Sequence, residues 1–201
     1  MKGVIGVDEI TIILDRQDVL RELQTSRFHE QLDRFREAPR QQEALTNAFI
    51  VQQSWMSLAK SDGEIIGYAI ILEPEEDERW TKLDYLKVLG VVEVAPGFRG
   101  KQVGKRILRA LTEQYRELER YIVISLEYSW HWDVKSVGGD FLLYKRFLKK
   151  LLESAQFTEV KTNEPDILAN EYNFMMARIG SEVTDEQIET FYQLAYPRRS
   201  H

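Results

Sequence analysis

Cysteine is absent from this chain, which excludes disulfides, thiolate catalysis and Cys-ligated zinc. Histidine is scarce: His29, His131 and His201 are scattered without ligand spacing, so no metal site is expected. No apolar run reaches the roughly 18 residues that a membrane span needs. The first residues also lack the basic-then-apolar order of a secretory leader. A soluble cytoplasmic protein with no membrane partner is therefore expected. Positive charge is not in excess either. A net charge of -6 argues against a nucleic-acid partner, because counterion release needs a clustered basic face. Internal repeats and low-complexity tracts are missing. What remains is 201 residues, 43% hydrophobic and 30% charged, an ordinary globular composition long enough to bury a core as a single domain over 1–201.

The stretch Val91-Val92-Glu93-Val94-Ala95-Pro96-Gly97-Phe98-Arg99-Gly100-Lys101-Gln102-Val103-Gly104-Lys105 reads as an apolar strand, a proline stop, a basic glycine turn and the start of an amphipathic helix. Gly100 and Gly104 remove side chains where the turn tightens, so backbone N–H groups can approach a ligand. Those donors sit at a helix N-terminus, which favours anions, and Arg99, Lys101 and Lys105 add cationic charge. The ligand this predicts is a phosphate or pyrophosphate. The spacing fits neither a Walker loop nor a three-glycine dinucleotide fingerprint. Basic residues cluster at 99–109 and again at 145–150; the second run reads as a solvated helix face.

Along the chain, residues 1–9 form a lead-in and Ile10–Leu14 is a first strand. From about Asp18 to Ala38 a helical pattern is read, with Phe28, Leu32 and Phe35 at spacings of four and three. Ala38-Pro39 breaks it, and Gln41–Phe49 gives a second helix. Ser54–Lys60 and Glu64–Leu72 flank Ser61-Asp62-Gly63, a hairpin signal. Glu73–Trp80 is a charged loop, and Tyr85–Val94 a strand in which Gly90 marks a bulge or a close backbone approach. The helix after the glycine turn puts Ile107, Leu108, Leu111, Tyr115 and Leu118 on one face. Tyr121–Glu127 is a strand. Tyr128-Ser129-Trp130-His131-Trp132-Asp133 leads through Gly138-Gly139 into a helix over about Asp140–Ala155. Strands near Phe157–Lys161 and Asn173–Ile179 follow. Thr184-Asp185-Glu186-Gln187 is a capping box opening a last helix, about 184–196, whose Ile188, Phe191 and Leu194 suit docking on the domain.

Arg99-Gly100-Lys101-Gln102-Val103-Gly104 resembles the acetyl-CoA-binding pattern of the GNAT acetyltransferases, Gln/Arg-x-x-Gly-x-Gly/Ala. It departs from the pattern at Gln102, where the family's first glycine usually stands, and a Cβ there would narrow the pyrophosphate cradle. The order β-α-α-β-β-β-α-β-α-β-β is similar to that family's. The fold this implies is α/β (α+β), a mixed central sheet of about seven strands with helices on both faces, with a core over about 10–180. Several blocks resemble the acetoin-utilisation branch of the family: Phe28-His29-Glu30, Gln41-Gln42-Glu43-Ala44-Leu45, Glu78-Arg79-Trp80, Glu93-Val94 through Gly104, Glu127 through Asp133, and Arg178-Ile179-Gly180. Two tryptophans around a histidine make the Trp130-His131-Trp132-Asp133 block the most specific of these. The resemblance implies acetyl-CoA as donor and protein-lysine acetylation, with the active-site lysine of acetyl-CoA synthetase as acceptor. Two rivals stand beside it: a CoA-sensing regulatory partner of the synthetase without catalysis, and a small-amine acetyltransferase. The sequence leaves oligomeric state open.

Acetyl transfer from a thioester to a lysine amine needs a neutral amine, a stabilised carbonyl oxygen and a protonated leaving thiolate. With a lysine pKa near 10.4, only about 0.04% of the acceptor is neutral at pH 7, so a base or a desolvated channel is needed. Backbone N–H groups along Val92–Val94 are candidate oxyanion donors. Glu127, ending a strand as Leu-Glu-Tyr, is similar to the Leu-Glu-Val of bacterial GNAT enzymes and is the first candidate base; the alternative is a solvent-facing strand-end carboxylate. Glu93 is second, pointing to the face opposite Val92 and Val94, where burial would demand a partner or a role. His131 is third, since an imidazole is a common proton carrier near neutral pH, but it is flanked by tryptophans that suit docking. Tyr144, within Leu143-Tyr144-Lys145-Arg146, resembles the family's tyrosine acid. A competing register, counted back from Gln156-Phe157, puts Leu152 in that slot. Trp130 and Trp132 either line the acceptor entrance or anchor a loop.

Overall fold

The computed structural model describes residues 9–51 and 53–197; nearly all of the expected lead-in, and His201, lie outside them. Among the described residues, eight strands in a mixed sheet and six α-helices give the expected α/β class, with one strand more than seven. The chain divides into two compact units, Met1–Ile70 with Val91–Leu111, and Ile71–Gly90 with Thr112–His201.

In the first unit, β1 (Thr11–Ile13) runs antiparallel to β3 (Trp55–Ser61), with Thr11 opposite Lys60. The expected hairpin joins β3 to β4 (Glu64–Leu72). Its turn residues Asp62 and Gly63 take φ of 49° and 83°, the left-handed pair that matches strand twist. Helix α1 (Arg16–Thr25) begins on Asp15, whose side chain accepts from the amides of Gln17 and Asp18. The sequence pattern extends this helix to Ala38, but it stops at Thr25. Arg27–Phe28 instead forms β2, parallel to β4, with Phe28 opposite Ile65.

The reason is a distant side chain. Gln42 on α2 (Ala38–Val51) accepts from the Phe28 amide at 2.9 Å and donates to the carbonyls of Leu23 and Ser26, each at 2.7 Å. With those backbone groups satisfied, the chain can leave the helix at no hydrogen-bond cost. Leu32 is buried, yet Phe35 is 46% exposed, so the Phe28/Leu32/Phe35 spacing is not one helix face. Pro39 lies in the first turn of α2, where its missing N–H has no partner to lose. Ala38-Pro39 thus opens a helix.

In the second unit, the first part of β5 (Leu86–Val94), through Gly90, pairs in parallel with β6 (Ile122–Glu127) over Leu86–Val88, and Gly90 lies just past that paired stretch. Strand β6 is antiparallel to β8 (Phe174–Ile179), which is antiparallel to β7 (Thr158–Val160). Helix α4 (Phe141–Glu153) starts on Asp140, which accepts from the Leu143 amide. Beyond its end Gln156 adopts φ 68°, the conformation a glycine would take there. A short α5 (Pro165–Leu168) was not legible in the sequence. The capping box does open α6 (Asp185–Ala195). Phe191 and Ala195 of α6 are buried with Trp80, Leu86, Ile122, Ile124 and Met175.

Candidate active site

The glycine turn lies in the first unit, ahead of α3 (Val103–Gln114). The helix ends at Gln114, short of Tyr115 and Leu118; Leu118 reaches the core from a 3-10 turn over Arg116–Arg120. Gly100 has φ 80° and Gln102 φ 60°, so the residue in the family's glycine slot holds the glycine's backbone conformation. The Arg106 amide donates to the Gln102 carbonyl at 3.0 Å, the first turn of the helix. Helix geometry leaves the amides of Val103, Gly104 and Lys105 without partners inside the helix. Val103 is buried, while the side chains of Lys101, Gln102 and Lys105 are exposed. Arg99 Nε donates to the Val94 carbonyl at 3.2 Å, which ties the turn to the end of β5. Lys101 Nζ lies 5.2 Å from the centre of the Phe98 ring. Helix-end amides, a helix dipole and the exposed Lys101 and Lys105 are the elements that an anion cradle needs.

Glu93 is buried at 6% exposure, on the face opposite Val92 and Val94, which are half-buried. It has partners. Oε1 accepts from the Arg34 amide at 3.1 Å, and Oε2 from the Tyr68 hydroxyl at 2.5 Å. Gln41 Nε2 donates to that same hydroxyl oxygen at 3.0 Å. Burial first, and then the Glu93 charge, push the Tyr68 pKa well up, so the phenol stays a donor. Both carboxylate oxygens are thereby engaged in holding the loop before α2 against β4 and β5. Gly67, beside Tyr68, permits this approach: a Cβ there would meet the Glu93 carbonyl oxygen at 3.0 Å.

The second unit gathers Glu127, Trp132 and Tyr144. Residues two apart on a strand share a face, and the Ser125 hydroxyl donates to Glu127 Oε1 at 2.7 Å. Glu127 keeps part of its surface open, yet its carboxyl is packed closely enough that burial is the largest influence and raises its pKa, against smaller lowering by Ser125 and then Trp132. The Trp132 indole N–H is buried and makes no hydrogen bond of ordinary geometry; it acts on Glu127 as a nearby dipole. Trp132 stacks on Tyr144 at 5.5 Å and 24° and meets Phe174 edge-on. Tyr144 is half-buried there. Leu152, in the competing tyrosine slot, is buried at 2% exposure, and Gln156, from which that register is counted, has φ 68°.

The remaining predicted residues separate. Trp130 is 54% exposed whereas Trp132 is buried at 6%, so the two do not share a role. His131 is exposed and stands edge-on to Tyr128 and Trp130. Tyr68 and Asn173, which pair with Glu93 and with the Ser129 amide, had no local signal, because each acts through a partner that only folding brings near. Ser125 alone had a hint, its i,i+2 spacing from Glu127.

The sequence from 17 to 131 matches the model of the acetyltransferase (GNAT) family. The chain belongs to that family, and it is an acyltransferase. At 36% identity over 174 residues it is similar to the acetoin utilization protein AcuA of Bacillus licheniformis and of Bacillus subtilis, covering 86% of this chain and 82% of each relative. The crystal structure of an acetoin utilization protein from Exiguobacterium sibiricum superposes with a TM-score of 0.83 at 29% identity, over 96% of this chain and 98% of that one. A phosphinothricin acetyltransferase of Sinorhizobium meliloti, solved with acetyl-CoA, shares the fold at TM-score 0.54 and 16% identity, over 87% and 90% of the two chains. Among the described residues, no helix is long and apolar enough to cross a membrane, and no three metal-ligating side chains converge.

Proposed function

We propose that this chain transfers an acetyl group from acetyl-CoA to a lysine of a protein acceptor, acetyl-CoA synthetase, and so restrains that enzyme. The observation that carries the donor is the left-handed pair Gly100 and Gln102 at the start of α3, where helix geometry leaves the first amides without helical partners. The acceptor rests on the resemblance of the Trp130-His131-Trp132-Asp133 block to the acetoin-utilisation branch.

In this reading the amides of Val103–Lys105, with Arg99, Lys101 and Lys105, hold the diphosphate of acetyl-CoA, and the backbone of Val92–Val94 supplies donors to the carbonyl oxygen as it gains charge. The lysine nitrogen attacks the thioester carbon, a C–N bond forms and the C–S bond breaks. The ammonium proton goes to Glu127, whose raised pKa brings it toward the range of a working base. The leaving thiolate takes a proton from Tyr144 or from solvent; with a thiol pKa near 8.5, the cost of the second route is small. Glu93 is assigned to architecture, since both its oxygens are occupied.

The test is to incubate the chain, acetyl-CoA and the synthetase together and weigh the synthetase by mass spectrometry. A gain of one acetyl group that Glu127→Gln abolishes supports the enzyme. Tight CoA binding with no mass gain on the synthetase points instead to a regulatory partner, and acetylation of small amines alone to the third reading.

A further inference from the structure

The second unit carries an aromatic surface for which donor binding and proton transfer have no use. Tyr128 and Trp130 lie stacked at 4.8 Å and 10°, and His131 stands edge-on to both at 6.1 and 6.0 Å. Trp130 is 54% exposed, whereas Trp55, Trp80 and Trp132 are exposed by 6% or less. A large ring held outward beside two others is the composition of a contact surface. The turn that presents it is pinned from beneath. The Ser129 amide donates to Asn173 Oδ1 at 2.7 Å, and Asn173 Nδ2 donates to the Asp166 carbonyl at 2.7 Å. Asn173 is itself buried, so this bridge fixes α5, with Asp166 and Leu168 exposed, beside the stack.

The charge around the rings has one sign in excess. Burial first, then the carboxylates of Glu164, Asp166 and Glu78, push the Tyr128 hydroxyl up to about 12. Arg79 offsets part of this through its 2.7 Å ion pair with Glu164, and Glu78 accepts the Glu75 amide. Three carboxylates therefore face one guanidinium. The negative faces of the rings attract cations as well, so ring and field select the same kind of partner and penalise an anionic one.

We propose that this surface docks a lysine- or arginine-bearing segment of the acceptor protein, with one cationic side chain over the exposed face of Trp130 and the Asp166 carboxylate beside it. The proposal rests on the reading of a protein acceptor, and it adds the chemistry by which that acceptor is recognised.

Because Trp130 is the tryptophan that meets solvent, its fluorescence reports the surface directly. The full chain is titrated with a lysine- and arginine-containing hexapeptide and with its glutamate counterpart. The basic peptide is expected to change the emission and the acidic one to leave it unchanged. Raising salt from about 50 to about 200 mM weakens the basic complex several-fold. Asp166→Asn is expected to weaken it about three-fold, Asp166→Lys more, and Trp130→Ala, followed by calorimetry, about five-fold.

A second arm measures acetyl transfer to the same lysine peptide and to a small free amine. Asp166→Lys raises KM for the basic peptide and leaves kcat and the small amine unaffected. Equal binding of basic and acidic peptides, or undiminished binding by Trp130→Ala and Asp166→Lys, overturns the proposal. So does a concentration-dependent dimer that buries Trp130 against the basic run at 145–150. If no acceptor is acetylated, the enzymatic reading fails, while the fluorescence titration still decides the surface.

Discussion

Gln102 departs from the family pattern in side chain but not in backbone. Its φ of 60° places a Cβ-bearing residue in a region that costs about 1 kcal/mol or more outside glycine. Gln102→Gly is therefore expected to raise the unfolding free energy measured in urea, by about 1 kcal/mol at most after the added freedom of the unfolded chain, and to tighten acetyl-CoA binding by opening the cradle. Weaker binding by that variant would show that the Gln102 side chain itself contacts the nucleotide. At Glu127 the Ser125 hydroxyl stabilises the charged form against burial. Removing it with Ser125→Ala lifts the carboxyl pKa further, so the acidic limb of the kcat/KM profile moves to higher pH. A purely structural role for Ser125 would lower stability and leave that limb in place.

At the scale of elements, the Arg178-Ile179-Gly180 block is a clamp between β8 and the 3-10 turn at 116–120. The Gly180 amide donates to the Tyr121 carbonyl at 3.0 Å and the Glu182 amide to the Glu119 carbonyl at 2.9 Å. The Arg178 guanidinium pairs with the Glu119 carboxylate, which also accepts from the Ser181 amide. A Cβ on Gly180 would lie 2.2 Å from the Glu119 carbonyl oxygen, and backbone cannot swing aside as a side chain can. Gly180→Ala is expected to cost roughly 3 kcal/mol or more, seen as a lower urea midpoint, without changing the pH dependence of any activity that remains. Helix α6 depends on Phe191, which is fully buried against Trp80. Phe191→Ala should cost about 3–5 kcal/mol, measured the same way.

Over the whole molecule, carboxylates pull stability in two directions as pH falls. Glu22 is held below its ordinary pKa chiefly by its hydrogen bond to Lys60. Glu119 is held below it too, where the Ser181 amide and Arg178 outweigh a raising effect of burial. Both contribute stability that is complete above the unfolded pKa, near 4.3, and lost as pH drops through the lower folded value. Burial raises Glu127 and Glu78; their charged forms disfavour folding, and that penalty lifts as pH falls through their raised values. The melting temperature should accordingly hold or rise slightly from neutral pH down to about 5, then fall below about 4. A monotonic loss from pH 7 downward would mean that the two raised carboxylates carry no penalty.

Sequence by itself determined what depends on neighbours along the chain. The hairpin at Asp62-Gly63, the cap of α6 and the strand-turn-helix at 91–105 follow from turn chemistry, period and helix-end donors, all local. Tertiary structure decided what depends on groups far apart in sequence. Gln42 ends α1 at Thr25 by satisfying backbone on both sides of the break, which no window around residue 28 contains. Tyr68, 25 residues from Glu93, turns a candidate base into a bonded strut. Trp130 and Trp132, chemically alike and two residues apart, are sent to solvent and to the core by Asn173 holding the turn between strand and helix. Burial and hydrogen bonding are properties of the packed chain, and they select roles among residues whose types the sequence can only propose.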